Sequence, residues 1–237
     1  QLDQMDQSEN NATELSNIQE KLERLKKHQL KYEGSQEQLK TSGEPQISTT
    51  DPDARALLVQ GQVVEIGYNQ QASVDEKYKL VVATHTLNRN DRNALSQIAL
   101  ETKNNLKLDK FTVLVDKGYH NGREIKKTQE ANIRTIVATP TLVNSNSHGT
   151  TADYMVSQFI YQSETDTYLC PAGETLNTTG TWHKKTRERD SYQFKKYRTP
   201  KCKDCLVRSL CTGRAVGGRE IDRSEYAEYV EKNAENY

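Results

Sequence analysis

The stretch Phe111-Thr-Val-Leu-Val-Asp-Lys-Gly-Tyr-His-Asn-Gly122 decides the fold. Phe111 to Val115 are apolar or β-branched and read as a buried strand. The strand ends on a single carboxylate, Asp116. Lys117-Gly118-Tyr119 then turns the chain, and Asn121-Gly122 opens a polar segment, Arg123 to Asn132, that suits a helix. Open α/β sheets keep their chemistry at the carboxyl ends of their strands. A hard oxygen ligand there suits Mg²⁺, which takes one or two carboxylates together with substrate phosphates. Asp after a strand also suits turns and helix N-termini with no chemistry attached. On this stretch alone both readings of Asp116 stand.

Outward from it, Gly67-Tyr-Asn-Gln-Gln-Ala-Ser-Val74 alternates, with Tyr68, Gln70, Ala72 and Val74 on one face. Asp75-Glu-Lys-Tyr78 is a polar turn, and Lys79-Leu-Val-Val-Ala-Thr84 returns as the second strand of a hairpin. Asn90-Asp91 caps a helix over 92–105, with Leu95, Ile98, Ala99 and Thr102 on one side. Beyond the Asp116 strand come the helical segment 123–132 and a strand, Ile133-Arg-Thr-Ile-Val-Ala138, that Pro140 ends. The order is strand, strand, helix, strand, helix, strand. An antiparallel pair followed by α/β crossovers is the order of a ribonuclease H-like mixed sheet without its first strand.

The chain has 237 residues and begins with Gln rather than Met, which predicts a segment of a longer protein. Hydrophobic residues make up 33% and mean hydropathy is −0.92, so a core is expected only in the apolar middle, about residues 60–140. Basic and acidic residues balance at 33 each, so local patches, not whole-chain charge, must point to partners. No apolar run approaches the roughly 18 residues of a membrane helix, and no secretory signal is visible. A soluble, cytoplasmic protein without a membrane partner is expected. Within residues 1–50, Leu15, Ile18, Leu22 and Leu25 form one apolar stripe that Thr13 could cap, which predicts a solvated helix or a helical hairpin docked on a neighbour. Ser42 to Asp53 reads as a linker. Residues 51–140 read as the catalytic domain, 141–165 as a second linker, 166–214 as a cysteine-rich insertion and 215–237 as a charged helical tail with Tyr226, Tyr229 and Val230 on one face.

All four cysteines, Cys170, Cys202, Cys205 and Cys211, fall in that insertion as C-P-A-G, a long gap, then C-x₂-C-x₅-C. A C-x₂-C knuckle presents two thiolates to one tetrahedral metal, and four thiolates complete a closed structural zinc site. A small hydrophobic cluster of free thiols, or redox or disulfide chemistry, fits the same residues. The insertion also carries Lys184, Lys185, Arg187, Arg189, Lys195, Lys196 and Arg198, interleaved with Trp182, Tyr192, Phe194 and Tyr197. Basic residues among aromatics suit a phosphate backbone and exposed bases. They also suit a solvated charged face.

Together these residues resemble a DDE transposase of a bacterial insertion sequence. The matching strings are TDPDAR (Thr50 to Arg55), GYNQQASVDEKYKLVVA (Gly67 to Ala83), NDRNAL (Asn90 to Leu95), VLVDKGYHNG (Val113 to Gly122), DTYLCPAGETL (Asp166 to Leu176) and CKDCLVRSLC (Cys202 to Cys211). The resemblance spans about residues 50–230 and lies in the ordered combination. It implies a ribonuclease H-like domain in which three carboxylates hold two Mg²⁺ or Mn²⁺ ions and cut DNA at transposon ends. It also implies DNA ends and target DNA as partners, a homo-oligomer when intact, and a nucleoid-associated location in a prokaryote.

Asp116 matches the family's second catalytic Asp. The first lies in an Asp-Gly-Thr string, which this chain lacks. The third is a Glu on a helix after the cysteine region, and Glu225, Glu228, Glu231 and Glu235 do not match its setting. The expectation is a central fragment, with first strand and last catalytic helix missing, that is inactive alone. Asp75 in the hairpin turn and Asp53 in the linker are fallback ligands. The alternatives are a zinc-stabilised DNA-binding or regulatory module that never cuts, and an unrelated ribonuclease H-like nuclease.

Overall fold

The computed structural model describes residues 2–59, 63–140, 151–187, 190–214 and 216–237. The chain divides into two compact units. The first comprises residues 1–70 and 86–90. It opens on α1 (Leu2–Ser42), one continuous helix of 41 residues rather than a hairpin. At 1.5 Å per residue it is about 60 Å long. Leu15, Ile18, Leu22 and Leu25 are all exposed, so the stripe covers no core among the described residues. The expected Thr13 cap lies among side chains outside the described set, and the helix runs through that position. The segment after α1 lacks regular structure, as a linker should, but it is pinned. The Glu44 carboxylate meets Arg89 at 2.9 Å and Arg55 at 3.7 Å, and the Tyr68 hydroxyl donates to Asp51.

The sequence reading missed the next hairpin. Strands β1 (Arg55–Val59) and β2 (Val63–Gly67) pair antiparallel from Arg55↔Gly67 to Val59↔Val63. The foreseen hairpin follows, as β3 (Asn69–Val74) and β4 (Val81–Leu87). Its tip, residues 71–85, belongs to the second unit. Asp75 shapes the turn, accepting from the Tyr78 amide at 2.6 Å.

The second unit then adds α2 (Leu95–Leu106), β5 (Phe111–Val115), α3 (Gly122–Glu130) and β6 (Ile133–Val137). Leu95, Ser96, Ile98, Ala99 and Thr102 form the buried face of α2, close to the predicted stripe. Helix α3 connects β5 to β6, which run parallel in the register Phe111↔Ile133 to Val115↔Val137. Leu95, Ile125 and Val137 make the core, with Val113, Val115 and Tyr119 packed against them. One expectation fails here: β5 is not buried on both faces. Thr112 and Leu114 point outward, and Leu114 is 73% exposed. The observed class is mixed α/β.

A larger correction concerns the C-terminal third. Residues 141–150 of the expected linker lie outside the described residues, but the linker does not extend to 165. Strand β7 (Ile160–Gln162) opens a six-stranded antiparallel sheet with β8 (Thr167–Leu169), β9 (Thr175–Thr178), β10 (His183–Arg187), β11 (Asp190–Arg198) and β12 (Ile221–Ser224). The order is β10-β11-β9-β8-β7, with β12 also on β11. Phe159, Tyr168, Leu176, Tyr197 and Ile221 form its own core. A core confined to residues 60–140 is therefore wrong, as is a cysteine-rich insertion set apart. This sheet shares one unit with β5 and β6, and the Arg123 side chain on α3 donates to the Ser191 carbonyl at 2.5 Å.

Nor is the C-terminal segment a free tail. Helix α5 (Ala227–Asn236) packs on α3 and β6, with Tyr229 and Val230 against the core, the face the sequence predicted. Among the described residues no helix is long and apolar enough to cross a membrane.

Candidate active site

Asp116 follows β5 directly and is exposed. Its side chain accepts from the Gly118 amide at 2.8 Å and caps the short 3-10 turn Lys117–Tyr119. The capping role anticipated for an Asp after a strand is thus present, and one carboxylate oxygen is left over. Gly118 is crowded by two carboxylates. A β-carbon there would lie 3.0 Å from Asp116 Oδ1 and 3.2 Å from Asp91 Oδ2. Two carboxylates therefore approach one glycine at the end of β5.

Gln71 on β3 fixes the second carboxylate. It is 3% exposed, and its amide nitrogen donates to Asp91 Oδ1 at 2.9 Å. Its amide oxygen accepts from the Tyr119 hydroxyl. Burial first, then the charges of Asp91 and Asp116, push the Tyr119 phenol up to about 12, so it stays a neutral donor across the working pH range. Asn121 caps α3 by accepting from the Arg123 amide and also donates to Asn93 at 2.6 Å. The result is a braced turn: β3, the segment before α2, and the β5–α3 connection hold each other.

The exposed Asp116 and half-buried Asp91 carboxylates supply hard oxygen donors of the kind Mg²⁺ and Mn²⁺ take. They begin such a shell and do not finish it: among the described residues no group of three or more His, Cys, Asp or Glu side chains is arranged to hold a metal ion. Asp75 is occupied with its hairpin turn, and Asp53 lies exposed in the first unit.

Sequence reasoning missed Asp91, Gln71 and Tyr119. Asp91 was read only as a helix cap, although it lies in the NDRNAL string. It also missed Glu124, buried on α3, which accepts from both the Ser96 amide at 3.0 Å and the Ser96 hydroxyl at 2.5 Å, and pairs with Lys127 at 2.9 Å. Glu124 is a brace between α2 and α3, set where a helix N-terminus favours negative charge.

The basic residues divide. Lys184 and Lys185 are exposed on β10. Lys195 is tied to Asp166 at 2.6 Å and lies over the Trp182 ring, and Lys196 is tied to Glu220 at 2.9 Å. Arg198 is exposed and lines an open groove of about 680 Å³ with Lys203, Arg208, Arg214 and Arg219. Arg189 and the side chain of Arg187 lie outside the described residues. Phe194 and Tyr197 are buried core, which corrects the idea that they are stacking surfaces.

Cys170, Cys202, Cys205 and Cys211 form no disulfide, are half-buried, and all four line one small cavity of about 20 Å³. Burial pushes the Cys211 thiol up, Arg219 opposes this, and Cys202, Cys170 and Cys205 each add to the rise. Comparison with family models, with curated proteins and with solved structures finds no match to this chain.

Proposed function

We propose that this chain is the central part of a DNA strand-transfer enzyme of the DDE transposase type, with a partial ribonuclease H-like sheet. The observation that carries the reading is the pair of carboxylates, Asp116 and Asp91, that both approach Gly118 at the carboxyl end of β5. In that reading Asp116 is a metal-binding carboxylate, with Mg²⁺ or Mn²⁺ supplying charge stabilisation for phosphoryl transfer. Gln71 and Tyr119 hold Asp91 in place beside it. Lys184 and Lys185 on β10 contact the DNA backbone, together with Arg198, Lys203 and the other cations of the groove that Arg198 lines.

Two carboxylates do not make a two-metal site, so the chain by itself binds DNA without cutting it. The test pairs two measurements on the purified chain. Gel-shift titration should show DNA binding that weakens steeply with salt. Incubation of supercoiled DNA with Mg²⁺ or Mn²⁺ should show no nicking above that of a chain carrying Asp116→Asn. Nicking that Asp116→Asn abolishes would show that the chain completes a site on its own, and an absence of DNA binding at low salt would remove the reading. In a longer parent that does cut DNA, Asp116→Asn should abolish cleavage and spare binding. A zinc-stabilised DNA-binding module without catalysis is the second reading. The cationic groove beside the cysteine cavity favours it, and retained cleavage-independent binding with an Asp116→Asn parent of unchanged function would select it.

A further inference from the structure

We propose that Cys170, Cys202, Cys205 and Cys211 bind one Zn²⁺ as a tetrathiolate clamp between the turn after β8 and residues 202–211. The chain has four cysteines, and three separate pieces of backbone deliver all of them to one cavity. Cys170 starts the turn between β8 and β9. Cys202 sits in the 3-10 turn Pro200–Asp204, Cys205 just after it, and Cys211 ends α4 (Arg208–Cys211).

The backbone folds tightly around the cysteines. The Glu174 amide donates to Cys170 Sγ at 3.3 Å, while the Gly173 amide donates to the Cys170 carbonyl at 2.9 Å. Gly173 has φ +85°, which lets the chain fold back around the sulfur. The Arg208 amide closes on the Cys205 carbonyl at 3.2 Å, and the Cys211 amide on the Val207 carbonyl at 3.1 Å, so one compact turn carries both of those thiols.

The wall of the cavity separates a metal site from an inert thiol cluster. Phe159 and Leu176 make it apolar, yet Arg208 and Arg219 line it as well, and Arg219 donates to the Cys211 carbonyl. Four neutral thiols need no cations. Four thiolates on Zn²⁺ carry two net negative charges, which two guanidiniums offset. A cavity of about 20 Å³ holds a single small occupant. The side chains are not at coordinating geometry before the ion arrives. Binding draws the sulfurs in to Zn–S bonds of about 2.3 Å. Four S–H bonds break, four Zn–S bonds form, four protons pass to solvent, and nothing is oxidised or reduced.

The clamp also answers a shortage of core. Strands β7 and β8 have three residues each, and among the described residues the buried cluster at the sheet's centre has five side chains. Small lobes of this kind take a staple. The proposal stands apart from the DNA reading, because every measurement below is made without DNA.

The test uses the whole chain purified without chelator. Elemental analysis should give one zinc per chain, and all four thiols should react slowly with a thiol reagent until a chelator removes the metal. Co²⁺ in place of zinc should show thiolate-to-metal charge-transfer absorption and the intense d–d bands of a tetrahedral site. Gly218→Ala adds a geometric check, since its β-carbon would meet Cys202 Cβ at 2.2 Å and Sγ at 3.0 Å. It should weaken zinc retention against a competing chelator by about 10- to 100-fold, while Lys77→Ala on the β3–β4 turn leaves retention unchanged. Wild-type chain without zinc and with no cobalt charge-transfer band would overturn the site. So would a disulfide between any two of the four in freshly purified protein, or full zinc affinity after Cys170→Ser.

Discussion

Asp166 holds three partners at the turn into β8. The Lys195 ammonium pairs with it at 2.6 Å, the Tyr197 hydroxyl donates at 2.6 Å and the Tyr161 hydroxyl at 2.9 Å. Those bonds, that of Lys195 first, hold its carboxyl down at about 2. An unfolded Asp titrates near 3.9. The folded value is depressed, so the stabilisation is complete above about pH 4 and is lost as pH falls toward 2. Asp166 has φ +50°, which Asn also tolerates, so Asp166→Asn removes the charge without straining the backbone. At pH 7 that variant should lose about 1–2 kcal/mol, discounted for partial exposure. The difference from wild type should vanish in denaturation curves between pH 4 and 2, and a gap that stays constant to pH 2 would refute the assignment. Single residues also show what the sequence could reveal. The place of Asp116 at the end of β5 was legible because an apolar run ending in one acid is a local pattern. Asp91 and Gln71 were not, because the close approach of Asp91 to Gly118 and of Gln71 to Tyr119 depends on tertiary packing that no spacing encodes.

Among elements, α5 shows how a polar segment can be structural. Asn233 is fully buried, and its side chain accepts from the Val137 amide and donates to the Val137 carbonyl, both at 2.9 Å. Asn236, one turn further, donates to the Thr135 carbonyl at 3.2 Å and accepts from Arg134 at 3.0 Å. The helix thus satisfies the edge of β6 where another strand would otherwise do so. Asn233→Leu keeps the volume and strands both Val137 groups. It should cost about 3 kcal/mol in urea unfolding, because each buried unpaired group costs roughly 1–3 kcal/mol. Asn236→Ala, at a half-buried position, should cost less than half as much, and equal losses would mean that packing rather than the Val137 pair is what Asn233 supplies. Tyr229 and Val230 were readable as an inward face because apolar periodicity marks them. Asn233 was not, since a buried amide is chosen by a backbone edge 96 residues away. The same logic explains β1 and β2: Val63, Val64 and Ile66 are all exposed, so no alternation of burial announced that hairpin.

For the whole molecule, mean hydropathy hid a second core cluster. The C-terminal sheet is built on Tyr161, Tyr168 and Tyr197, whose rings pack at 5.0 to 6.3 Å, with the Arg223 guanidinium over Tyr161. Tyrosine counts as polar in hydropathy yet buries a large ring when its hydroxyl finds a partner, as Tyr197 does on Asp166. The β5–β6 pair and this sheet are then joined at α3. A β-carbon on Gly122 would lie 2.8 Å from Tyr226 Cβ, and Arg123 reaches both the Tyr226 hydroxyl and the Ser191 carbonyl. The seam is too close for either part to loosen without the other sensing it. The second unit should therefore unfold in one transition, and Gly122→Ala, which wedges the seam open, should lower stability by about 1–3 kcal/mol. Hydrogen exchange gives the decisive readout. Amides of β6 and of β11 should lose protection by the same factor in that variant, because they share one opening event. If β11 alone exchanged faster while β6 kept its wild-type protection, the cysteine-bearing sheet would be a separate folding body after all, as the sequence first suggested.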